Sequence, residues 1–110
     1  MQHDPRKLAE DVLRCIEEVE TFCRGKTFRD FQDDRGLQLI IERELEIIGE
    51  AVTRLHREYP VLADQIPDVH KIVGLRNVLA HGYDVLEHEI LWDIVVNKLP
   101  WLKRDIQAMV

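Results

Sequence analysis

There is no serine anywhere in this chain of 110 residues, so hydrolysis by a serine nucleophile is excluded. No apolar run approaches the roughly 20 residues that cross a bilayer, and the opening MQHDPRKLAEDV lacks a signal-peptide pattern. Cysteine is scarce. Cys15 and Cys23 lie eight residues apart in one predicted helix, which separates their Cα atoms by about 12 Å and forbids a disulfide between them. They read as small core residues of a reduced, cytoplasmic protein. A glycine-rich phosphate loop is missing, and no histidine or cysteine cluster has metal-ligand spacing, so neither a cofactor nor a metal is expected. A surplus of positive charge is missing too. The formal net charge is −6, whereas nucleic-acid binders usually carry a basic footprint. An RNA partner would therefore need a local basic patch, or several chains to combine one.

What remains is a helical pattern in one domain spanning residues 1–110. Asp4-Pro5 is a helix start, an acceptor followed by proline at the first helical position. Leu8, Val12, Cys15, Ile16, Val19, Phe22 and Cys23 then recur at helical spacing up to Gly25. Thr27-Phe28-Arg29-Asp30 resembles a capping box, with Phe28 and Phe31 pinning the short turn that follows. A long second helix is predicted from about Gly36 to Tyr59, buried along Leu37, Ile40, Ile41, Leu45, Ile48, Val52, Leu55 and Tyr59, and ended by Pro60. After the connector VLADQIPD, a third helix is predicted from about Asp68 to His81, stopped by Gly82. A fourth opens near Glu87 and carries Ile90, Leu91, Ile94, Val95 and Leu99 to Pro100, which must kink or break it. The fold class is all-α, an antiparallel up-down four-helix bundle.

Within the third helix Val69, Ile72, Val73, Leu75, Leu79 and Ala80 cover one side, and Arg76 stands in the middle of them. Asn77, His81 and His70 fall on the opposite, polar side. A buried guanidinium without a partner costs several kcal/mol. One explanation is a core ion pair with Glu44, which also interrupts the apolar face of its helix. His81 likewise has a structural explanation, a histidine favoured at a helix C-terminus by the macrodipole. The same placement favours the protonated form, which suits a general acid near neutral pH.

On an ideal helix Arg76 and His81 point about 140° apart. Meeting at one phosphate then requires unwinding at Gly82, an arginine that wraps around, or two copies of the motif. RNA cleavage without a metal needs a base for the 2′-OH proton, an acid for the 5′-oxygen, and positive charge on the phosphorane. One copy offers one such histidine; a two-fold dimer offers two, flanked by two arginines.

Arg76, His81 and Tyr83 together spell R-x4-H-x-Y, which resembles the signature of HEPN-domain ribonucleases of the HepT type. The blocks LEIIGEA (Leu45 to Ala51), GLRNVLAHGY (Gly74 to Tyr83) and EILWDIVVNKLP (Glu89 to Pro100) are similar to that family in order and spacing. The resemblance implies a HEPN-like bundle acting as the homodimeric, metal-independent ribonuclease toxin of a toxin–antitoxin system. It implies Arg76 at the scissile phosphate, His81 as acid or base, and Asn77 as a polar neighbour. It also implies a partner antitoxin, a minimal nucleotidyltransferase of the MntA type, that moves AMP from ATP onto Tyr83. Glu44 stands where many relatives have asparagine, and Glu87-His88 replaces a more usual Asp-Leu. The competing reading is a non-catalytic helical subunit that docks on such a nucleotidyltransferase.

Overall fold

Asp4 begins the first helix as expected: its side chain accepts a 2.8 Å hydrogen bond from the Arg6 N–H, and Pro5 occupies the first turn. The computed structural model describes residues 4–67, 69–81 and 87–109, and of 76–81 the backbone alone. Helix α1 runs Pro5–Cys23 and buries Leu8, Val12, Cys15, Ile16 and Val19. Gly25, at φ 74°, turns the chain in the left-handed region that glycine adopts without strain. Phe22 departs from the predicted stripe and is 45% exposed.

The capping box opens α2 (Phe28–Gln32). The Thr27 N–H donates to Asp30 Oδ2 at 2.8 Å, and the Asp30 N–H returns a 3.2 Å bond to Thr27 Oγ1. Asp34 then caps α3 (Arg35–Glu58) by accepting from the Leu37 N–H at 3.0 Å. A buried amide joins the two helices. Gln38 Nε2 donates to the carbonyls of Phe31 and Gln32, each at 3.0 Å, and so ties the end of α2 to the first turn of α3.

Pro60 ends α3 and at once opens α4 (Pro60–Ala63), a single turn inside the stretch expected to be only a connector. Helix α5 (Val69–His81) packs against α3, which lies between α5 and α1. Helix α6 (His88–Asp93) passes into a π-helical stretch, Ile94–Lys98, and then α7 (Leu99–Gln107). The expected disturbance at Pro100 takes this form. The Leu99 N–H reaches back to the Ile94 carbonyl, widening the turn just before the residue that has no N–H to give. Helix α7 returns along α1, where Lys103 Nζ sits 2.8 Å from Glu20.

One core runs through these elements. Ile16, Ile41, Val52, Leu91 and Ile106 are fully buried in it. Phe31 closes one end, its ring 5.2 Å from that of Trp92 and edge-on to His88 at 5.6 Å. The all-α bundle is as predicted, and among the described residues no helix is long and apolar enough to cross a membrane.

Candidate functional site

The motif lies on the last turns of α5. Its first turns are anchored to the core by Val69, which is buried, and by Ile72, which is half-buried. Arg76, Asn77 and His81 follow on the same unbroken helix, since α5 remains helical through His81. Their side chains lie outside the described residues, as does Tyr83 entirely. The backbone is helical through His81, so Arg76 and His81 sit five helical residues apart, about 140° around an ideal helix axis.

Beside the start of this helix is a groove of about 620 Å³ between α3, α5 and α7, lined by Ile48, Ile72, Leu75 and Leu102. Lys71, Lys98 and Asp105 supply its charge. Leu75 lines the groove and immediately precedes Arg76, so the groove abuts the segment that carries the motif. His70 is exposed, as expected, and meets His56 edge-on with ring centroids 5.2 Å apart.

Whether Glu44 pairs with Arg76 lies outside the described residues, but its other neighbours are clear. From the middle of α3 its carboxylate meets Glu18 and Cys15 of α1, the three ligand atoms lying within 4.8 Å of one another. Burial, and then the Glu18 charge, push the Glu44 carboxyl up to about 7, against smaller opposite pulls from Arg14 and Arg43. The Cys15 thiol is pushed up to about 11, first by burial and then by Glu44 and Glu18. Oε2 of Glu44 is buried with no hydrogen-bond partner among the described residues. Two carboxylates bring no donor to each other, so a bond between them exists only when one carries a proton. Spacing along the chain could not reveal this cluster, because it forms only when α1 and α3 pack.

The Ribonuclease HepT-like family matches residues 12–109, both the bundle and the motif helix. A Methanocaldococcus jannaschii protein named as a candidate RNase is 34% identical over 97% of this chain and 88% of its own length. A Thermococcus cleftensis protein named as a probable ribonuclease HepT is 33% identical over 99% of this chain and 98% of its own. In structure, a chain from a crystal structure of a toxin–antitoxin with AMP-PNP superposes with a TM-score of 0.66 at 19% identity, covering 97% of this chain and 98% of that one. The last comparison shows a common fold, and the first three agree on lineage: this chain belongs to the HepT-like ribonuclease family.

Proposed function

We propose that the protein is a metal-independent endoribonuclease, the toxin of a toxin–antitoxin pair, acting as a homodimer. The observation that carries this reading is Arg76 and His81 on one unbroken helix in a chain of the HepT-like ribonuclease family. Two copies of α5 meeting at one cleft would answer the angle between those residues and bring two histidines to one phosphate. One His81 takes the 2′-OH proton as that oxygen attacks phosphorus. The other protonates the departing 5′-oxygen, leaving a cyclic phosphate and a free hydroxyl. Arg76 stabilises the charge that builds on the phosphorane. Asn77 is a polar neighbour of this cleft.

Control by a nucleotidyltransferase antitoxin completes the reading. The Tyr83 phenol attacks the α-phosphorus of ATP, pyrophosphate leaves, and the tyrosine retains AMP. That group adds one negative charge and bulk where an RNA phosphate must sit. The net charge of −6 favours a second reading, a non-catalytic subunit that docks on the nucleotidyltransferase.

Expression in a bacterium, with RNA cleavage in EDTA as the companion assay, separates the two readings. The parent should arrest growth and cut RNA, and His81→Ala should do neither while keeping its helical circular dichroism. Harmless expression of the parent, or cleavage by His81→Ala at the parent's rate, would overturn the nuclease assignment.

A further inference from the structure

We propose that Cys15, Glu18 and Glu44 form a site for one zinc-class divalent cation that ties α1 to α3, apart from the motif on α5. The geometry brings a sulfur and two carboxylate oxygens from two helices within 4.8 Å of one another. A tetrahedral zinc with Zn–S near 2.3 Å and Zn–O near 2.0 Å needs ligand atoms about 3.3–3.5 Å apart. The remaining distance is within reach of small side-chain rotations, because both glutamates carry flexible stems.

Two further features favour a cation at this position. Cys15 is only 2% exposed, and its thiol makes no hydrogen bond among the described residues while facing both carboxylates. The buried Oε2 of Glu44 has no donor among the described residues either. Among the described residues, the arginines that act on Glu44 are held by other carboxylates: Arg14 lies 3.4 Å from Asp11, and Arg43 lies 3.3 Å from Glu46. A thiolate with two carboxylates carries three negative charges, which one divalent ion largely offsets. The sulfur selects zinc or cobalt over magnesium or calcium, which prefer oxygen alone. Glu18 is exposed, so water can complete the fourth position.

Cobalt is the probe that tests the site, because its thiolate complexes absorb in the near ultraviolet. The full chain, stripped with EDTA and dialysed, should bind about one Co2+ per chain with a thiolate charge-transfer band, and Zn2+ should displace it. Cys15→Ser should lose the band, and Glu44→Gln, which keeps the shape of the side chain, should weaken binding by about tenfold or more. Saturating Zn2+ should raise the melting temperature of the parent more than that of Glu44→Gln. Absence of the band, or its persistence in Cys15→Ser, would overturn the proposal. So would a parent indifferent to Zn2+ whose Glu44→Gln variant is simply more stable above neutral pH, since the pair would then share a proton rather than a metal. None of these readouts depends on RNA cleavage.

Discussion

The Glu44 carboxylate on α3 faces the Glu18 carboxylate on α1, with their oxygens and the Cys15 sulfur within 4.8 Å of one another. That pairing makes stability depend on pH. Burial and Glu18 raise the Glu44 carboxyl in the folded state from 4.5 to about 7, while Cys15 adds no compensating charge and Arg14 and Arg43 offset the rise only in part. The folded state then holds a proton that the unfolded state has released. The contribution is complete below the unfolded value and is lost as pH rises through about 7.

Metal-free protein should accordingly melt higher at about pH 5 than at about pH 8, other groups aside, and Glu44→Gln should flatten that difference. Solvent reaches part of this site, so the effect is discounted to on the order of 1 kcal/mol, or a few degrees in melting temperature. Parallel melting curves for parent and variant at both pH values would contradict it.

Thiol chemistry should follow the same environment. The Cys15 thiol is fully buried and pushed up to about 11. Cys23 is half-buried and raised mainly by its own burial, with Lys26 pulling the other way. A disulfide reagent at neutral pH should therefore modify Cys23 first and reach Cys15 only when the bundle opens. Peptide mapping of early time points decides the order, and modification of Cys15 ahead of Cys23 would refute this account of the α1 core.

Local signals carried most of the fold. Asp4-Pro5 and the Thr27–Asp30 box act through hydrogen bonds within a few residues, so both were readable before any packing was known. Phe22 shows where the pattern ran out, since it has the right spacing but sits at the end of α1 where no helix covers it fully. The turn of α4 and the π-helical stretch before Pro100 arise from how the chain accommodates prolines, and periodicity is blind to that. Glu44 was legible as an interruption of the apolar face. Its neighbours were not, because Cys15 and Glu18 meet it only through the register of α1 on α3. Residue type and spacing single out Arg76 and His81, and the backbone of their helix runs through His81.

The contrast between two phenylalanines tests the core directly. Phe31 is 0% exposed and packs on Trp92 and His88, whereas Phe22 is 45% exposed. Phe31→Ala should cost about 3–5 kcal/mol, the usual range for a buried aromatic truncated to a cavity. Phe22→Ala should cost less than about 1 kcal/mol. Urea unfolding of the two variants measures both, and equal losses would mean that the two rings bury alike.

The proposed two-copy cleft makes a quantitative demand on mixed dimers. The backbone of α5 is helical through His81, so Arg76 and His81 of one copy sit about 140° apart around an ideal helix axis, and each copy carries a single histidine of the motif. If acid and base are the two copies of His81, a dimer lacking either one cannot complete the proton transfers. If each copy works alone, or needs only its own histidine, a mixed dimer keeps half its sites. Parent and His81→Ala chains carrying different tags can be co-expressed in chosen ratios, and the mixed species purified through both tags. The cooperative cleft predicts that the purified heterodimer is as inactive as the His81→Ala homodimer. In an equal mixture at random assembly, activity should fall to about one quarter of the parent's rather than one half, because only parent–parent pairs survive. Arg76→Ala should be milder in the same format, since one guanidinium remains beside the phosphate in each mixed cleft. A heterodimer with half the parent's rate would show that a single His81 suffices, and the shared acid–base mechanism would fall while the ribonuclease assignment stood.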